Sequence, residues 1–218
     1  VVWIKICGFC DTESAVLAAE LGADAVGLNF VPRSRRYVSA DAAKRIIEPL
    51  RGRVELVGVV ESMSLEVAEA LRADLRLDRV QIHGLVDEQS RELPSWAYGV
   101  VGIASASDAA RLMDFPGDPL LVDALVGGVT GGTGRPFDWS IVIEAAQRRR
   151  VVVAGGLNAS NVAQAISRVR PYGVDVASGV EFADRPGHKD PSLLRQFIEN
   201  ARAAAVAAKN QVKDSVCY

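Results

Sequence analysis

Short runs of β-branched residues recur along the chain, each followed by a loop and then by apolar residues at helical spacing. The strand-like runs are Trp3 to Cys7, Ala25 to Phe30, Val54 to Val60, Arg79 to Ile82, Tyr98 to Ala104, Leu120 to Asp123, Val151 to Ala154 and Val174 to Ala177. The helical patterns between and after them cover Glu13 to Leu21, Asp41 to Leu50, Leu65 to Leu75, Asp87 to Leu93, Asp108 to Met113, Asp138 to Gln147, Ala159 to Arg168 and Pro191 to Ala208. Ser39, Ser64, Ser107 and Asn158 are placed to cap helix starts, because a short side-chain oxygen there accepts from an otherwise unpaired backbone N–H. Strict alternation of strand and helix predicts parallel strands, since a parallel pair needs a helical crossover.

Eight units in 218 residues leave roughly 27 residues each, enough for a strand, a helix and two short connections. The pattern predicts an α/β fold, a compact (β/α)8 TIM barrel forming one domain over residues 1–208; such barrels typically need about 250 residues. An open doubly wound sheet is the structural alternative. Against it, the first strand runs into Gly8-Phe9-Cys10-Asp11 and not into a G-x-G-x-x-G dinucleotide fingerprint. Residues 209–218 read as a polar tail, either disordered or foreign to the natural chain, with Cys217 in it.

Composition narrows the function classes. The chain is 49% hydrophobic and 24% charged, which excludes disorder as the main state. Basic and acidic residues number 25 and 27 for a net charge of -2, so no bulk field favours nucleic acid or an anionic membrane, and any anion site must be local. No apolar run approaches the roughly 18 to 20 residues of a membrane span, and the first residues lack a secretory pattern, so the cytoplasm is the expected location. Three cysteines and two histidines support neither a disulfide framework nor a metal centre.

In a barrel, reactive groups sit at the C-terminal ends of the strands and on the loops that follow. Three groups meet that condition. Gly155-Gly156 and Ser178-Gly179 end the last two strands, where glycine lets backbone amides approach a phosphate. The Gly127 to Gly134 run after the sixth strand is a candidate cover. Arg33, Arg35 and Arg36 follow the second strand, and a guanidinium there suits a carboxylate ligand. Cys7 and Asp123 end the first and sixth strands as a candidate acid–base pair across the mouth. Lys5 shares a face with Cys7 and is expected to lower its pKa, with Asp175 on the neighbouring strand as a possible partner for the ammonium. Cys7-Gly8-Phe9-Cys10 also matches C-x-x-C, a weak redox signal without its usual context.

These residues resemble the phosphoribosylanthranilate isomerases of tryptophan biosynthesis from about Ile4 to Asn200. The resemblance is carried by Lys5-Ile6-Cys7-Gly8, Ser34-Arg35-Arg36-Tyr37, Val80-Gln81-Ile82-His83-Gly84, Leu121-Val122-Asp123, Gly131-Gly132-Thr133-Gly134, Ala154-Gly155-Gly156-Leu157-Asn158, Asp175-Val176-Ala177-Ser178-Gly179-Val180-Glu181 and Pro186-Gly187-His188-Lys189-Asp190. It implies a cofactor-free Amadori rearrangement of a phosphorylated small molecule, with Asp123 as general acid and Cys7 as general base. It further implies Arg36 on the anthranilate carboxylate, the late glycine loops on the phosphate, and Gln81, His83 and Gly132 as neighbours of the substrate. The expected assembly is a monomer or homodimer with no nucleic-acid or membrane partner. Asn29, the Phe182 to Arg185 loop and the tail depart from the family pattern.

A histidine-pathway or dual-substrate phosphoribosyl isomerase is the nearest alternative, but that family places aspartate where Cys7 stands. A thiol oxidoreductase would require Cys10. A barrel that binds a phosphorylated ligand without turning it over is the non-enzymatic reading, and intact Cys7 and Asp123 speak against it.

Overall fold

The computed structural model describes residues 1–85, 93–126, 129–130 and 137–214. Eight parallel strands close on themselves: β1 (Trp3–Cys7), β2 (Ala25–Asn29), β3 (Glu55–Glu61), β4 (Arg79–His83), β5 (Ala97–Ile103), β6 (Leu120–Val126), β8 (Val151–Val153) and β9 (Gly173–Val176). Their order is β5-β4-β3-β2-β1-β9-β8-β6, and a further β5–β6 pairing seals the ring. This is the predicted (β/α)8 barrel. Outside it lie the helices α1 (Thr12–Glu20), α2 (Ala40–Ile47), α3 (Leu65–Leu75), α4 (Ala109–Asp114), α5 (Ile143–Arg148), α6 (Val162–Val169) and α7 (Pro191–Asp214).

Several boundaries differ from the sequence reading for local reasons. The sixth strand does not stop at Asp123 but continues to Val126, because a short strand β7 (Val129–Thr130) pairs antiparallel with its end. The helix expected from Asp138 opens as a 3-10 turn over Trp139–Val142 before α5 begins. The helix expected from Ala159 starts at Val162, since Asn158 accepts from Ser160 N in a turn of its own. Ser39 and Ser64 cap α2 and α3 as expected, whereas Ser105, not Ser107, opens the turn into α4, and Asp11 caps α1. The last helix continues past Ala208 to Asp214, so six residues of the expected tail are helical. The helix expected over Asp87 to Leu93 falls almost wholly on 86–92, outside the described residues.

Two apolar layers hold the barrel. The larger lies between strands and helices, with Ile4, Ile6, Val26, Leu28, Val122, Val153, Val174, Ile166 and Phe197 all buried. The smaller fills the interior with Ala25, Val57, Tyr98, Val100, Leu121, Val152 and Ala154. Residues alternate between these layers along each strand, so the interior positions of β1 are Lys5 and Cys7. At the opposite end from the strand C-termini, Asp24 Oδ2 accepts from Ile4 N and Asp78 Oδ2 accepts from Leu56 N, both at 2.7 Å. These carboxylates bind the free amides at strand starts and leave the other rim open for chemistry.

Candidate active site

Cys7 ends β1 and Lys5 lies one layer below it, paired with Asp175 of β9 through the register that sets Lys5 beside Asp175. Lys5 Nζ donates to Asp175 Oδ2 at 2.9 Å, and the Lys5 side chain is fully buried. Burial alone would pull the Lys5 ammonium down; Asp175, Cys7 and Tyr98 more than offset it, so its pKa lies above the ordinary lysine value. The expected partner of Lys5 is therefore found, but its expected effect on Cys7 is not the one that wins. Burial pushes the Cys7 thiol above its ordinary pKa, and the pull of Lys5, joined by Lys189, only moderates the rise.

Asp123 lies on β6, three strands from β1 around the ring. It is 8% exposed, and its Oδ1 has no hydrogen-bond partner among the described residues. Burial, with a smaller push from the charge of Asp175, raises its pKa to about 7. A carboxyl in that condition is part protonated at neutral pH and can donate a proton to an incoming oxygen. Its placement depends on Gly155. That residue has φ +79°, and a Cβ there would stand 2.5 Å from Ala124 N and 2.6 Å from Asp123 Oδ1. Gly27 of β2 does the same for the thiol, since a Cβ would lie 2.8 Å from Cys7 Sγ. Both glycines leave the room in which the carboxyl and the thiol sit, and the role of Gly27 was not legible in the sequence.

His83 ends β4 and is half-buried. Burial, then the charge of Lys5, pulls its pKa to about 4, so the ring is neutral at physiological pH. Tyr98 OH donates to Gln81 Oε1 at 3.2 Å, and Gln81 Nε2 lies 2.9 Å from His83 Nε2. With its carbonyl taken by Tyr98, the Gln81 amide donates to His83 Nε2, which places the imidazole hydrogen on Nδ1. Gln81 itself is buried, and both ends of its amide are engaged. It stands behind His83 rather than at the open surface of the mouth.

Arg36 follows β2 on a loop built by Asn29. The Asn29 side chain accepts from Val31 N at 2.8 Å and its carbonyl accepts from Val38 N at 2.9 Å, which accounts for a polar residue at the end of that strand. Arg36 donates through Nε and Nη2 to the two oxygens of Glu181, at 2.7 and 2.8 Å. Arg33 pairs with Glu61 at the surface.

The two late loops are in direct contact. A Cβ at Gly179 would overlap the carbonyl of Leu157, so only glycine permits the approach. Gly155 and Gly156 both have positive φ, and Asn161 braces their loop by donating to Gly156 O and accepting from Asn158 N. Ser178 and Gly179 begin a 3-10 turn at the end of β9. Gly132 and most of the Gly127 to Gly134 run lie outside the described residues. Lys189 and Glu181, fully buried and 4% exposed in their side chains, complete the site; sequence reading treated both only as landmarks, because a lysine in a loop gives no local sign that it turns inward.

Known proteins resemble this chain in both sequence and fold. The family model for N-(5'-phosphoribosyl)anthranilate isomerase matches residues 4–200. A relative from Citrifermentans bemidjiense carrying that name is 39% identical over 211 residues, covering 93% of this chain and 98% of its own. The crystal structure of phosphoribosyl anthranilate isomerase from Thermotoga maritima superposes with a TM-score of 0.80 at 37% identity, covering 93% of this chain and all of that one. Another such structure, solved in complex with reduced 1-(o-carboxyphenylamino)-1-deoxyribulose 5-phosphate, matches at TM-score 0.76 and 35% identity, again over 93% of this chain and all of that one. With its closed barrel, its buried carboxyl and thiol at one rim, and a match that spans nearly its whole length, this chain belongs to the N-(5'-phosphoribosyl)anthranilate isomerase family.

Proposed function

We propose that this barrel rearranges N-(5'-phosphoribosyl)anthranilate to 1-(2-carboxyphenylamino)-1-deoxy-D-ribulose 5-phosphate, with Asp123 as acid and Cys7 as base. The observation that carries the assignment of roles is Asp123: a buried carboxyl with a pKa of about 7 and an oxygen without a partner among the described residues, on the same rim as a buried thiol. Protonated Asp123 gives its proton to the furanose oxygen as the C1'–O bond breaks, and the anilino nitrogen forms a Schiff base with C1'. Cys7 thiolate removes the C2' proton to leave an enolamine, which takes a proton at C1' as its 2'-hydroxyl gives one up and so becomes the ketone. The net change is a hydrogen shift within one molecule, so atoms and electrons balance without an external redox partner.

The surroundings suit each step. Lys5 and Lys189 are the cations that stabilise a Cys7 thiolate, and the dry interior makes that thiolate a stronger base than it would be in water. Arg36 takes the anthranilate carboxylate with the edge it does not give to Glu181. The amides of Gly155, Gly156, Ser178 and Gly179 take the phosphate, as in barrels whose last two loops form such a cradle. Neutral His83, at the C-terminal end of β4, keeps Nδ1–H as a donor for a neighbouring substrate, held in that tautomer by Gln81 and Tyr98.

The test is the loss of substrate fluorescence after phosphoribosylanthranilate is generated in the cuvette with wild type, Cys7→Ser and Asp123→Asn. Wild type turns the substrate over, and each variant loses at least roughly 100-fold in kcat, the scale of one general acid or base. Full activity in either variant removes that residue's role; no turnover by folded wild type removes the reaction.

A further inference from the structure

Arg36 is one member of a largely buried cluster with Glu181 and Lys189, and the proton-transfer mechanism gives Glu181 no part. Glu181 meets Arg36 through both oxygens, and its Oε1 also accepts from Lys189 Nζ at 2.9 Å. Lys189 Nζ donates again to the carbonyl oxygens of Cys7, at 2.6 Å, and of Ala177, at 3.1 Å. Three acceptors use all three hydrogens of the nitrogen, so the group is an ammonium. Two cations thus share one carboxylate, and the cluster carries one surplus positive charge where solvent screens it poorly. An anionic ligand group meeting the outer edge of Arg36 restores the balance.

The geometry also links this cluster to the base. A Cβ on Gly8, which has φ +78°, would overlap the Arg36 stem, so the stem lies against the backbone directly after Cys7. Lys189 holds the same backbone by donating to the Cys7 carbonyl. We propose that Glu181, pinned by Lys189, is a positioning residue that aims Arg36 and so gives the site its preference for an aryl substrate bearing a carboxylate. The inference rests on the assignment of Arg36 to the anthranilate carboxylate. Arginine has several rotatable bonds, and a two-point contact with a buried carboxylate leaves its guanidinium one orientation, removing the ordering that binding would otherwise require.

The test measures calorimetric Kd values for two ligands, reduced 1-(o-carboxyphenylamino)-1-deoxyribulose 5-phosphate and the same molecule without its carboxyl group. Wild type binds the first more tightly, and Arg36→Met levels the two. Glu181→Gln lowers the preference for the carboxylate by roughly tenfold or more, the scale of one charge-assisted pair, while the Kd of the carboxyl-free ligand stays within about twofold. In the Arg36→Met background Glu181→Gln changes the preference no further. An equal loss for both ligands, or an added loss of preference in that background, overturns the inference by showing a general structural effect or an action outside Arg36. A preference that survives Arg36→Met overturns the Arg36 assignment, and the inference falls with it. Should Glu181→Gln melt below the assay temperature, Glu181→Asp keeps the charge and withdraws it from Arg36 by one methylene, with the same outcomes.

Discussion

At the scale of single residues, the proposed acid and base share one dry interior, where neighbours set their protonation. Asp123 and Cys7 are both pushed upward by burial, yet the proposed mechanism needs the first protonated and the second ionised. The acid has the lower pKa of the two, so the active form is the minor one in which the proton sits on the carboxyl and not on the thiol. Its population rises with pH while the thiolate fraction grows, then levels once Asp123 deprotonates in step. The expected kcat/KM profile therefore climbs to about pH 7 and is flat above it until Cys7 titrates, with the acidic limb set by Asp123 and the alkaline limb by Cys7. Stopped-flow or steady-state rates between pH 5 and 9 in constant ionic strength check this; an optimum near pH 5 contradicts it. Lys5 was legible as a neighbour of Cys7, because residues two apart on a strand share a face. That burial outweighs its pull on the thiol was not, since the sequence says what stands near a group but not how much water surrounds it.

At the scale of elements, loops carry the ligand-facing groups and glycines set how closely they approach. Gly155 was legible as a loop glycine and a candidate for the phosphate cradle. Only the fold shows that it also backs Asp123, because β6 and β8 are adjacent strands of the ring. Gly155→Ala forces an L side chain into φ +79° against the backbone of Ala124 and the carboxyl of Asp123. Backbone cannot yield as a flexible side-chain tip would, so the carboxyl shifts. Activity is expected to fall by roughly 100-fold, the effect of a displacement of about 1 Å at a reacting group, with circular dichroism showing a folded barrel. An alanine variant with wild-type kcat shows that the loop relaxes without moving Asp123.

At the scale of the whole molecule, closure of the ring has to be held where the two ends of the chain meet. The seam is β1 against β9, and α7 lies over it. Arg202 of α7 donates to Val2 O, to Gly22 O at 2.7 Å and to Asp24 Oδ2 at 2.8 Å, tying the last helix to the first strand and to the turn before β2. Its side chain is about one-third exposed, so its worth is less than that of a fully buried group. Arg202→Ala is expected to cost about 2 kcal/mol and to lower Tm by roughly 4 to 8 °C, with the activity at 25 °C unchanged because the far rim is untouched. Calorimetry together with the fluorescence assay measures both; an unchanged Tm shows that helix packing alone holds the seam.

The sequence by itself determined the alternation of strand and helix, the closed eight-unit barrel, and the placement of Cys7 at the end of the first strand and of Asp123 on the sixth. All of these follow from local periodicity, which a chain carries residue by residue. The tertiary structure alone decided which distant groups meet: Lys5 with Asp175 across 170 positions, Arg36 with Glu181 across 145, and Lys189 with the Cys7 carbonyl across 182. Closure of the ring brings the first and last strands side by side, and the charge balance and dryness of the site follow from that contact.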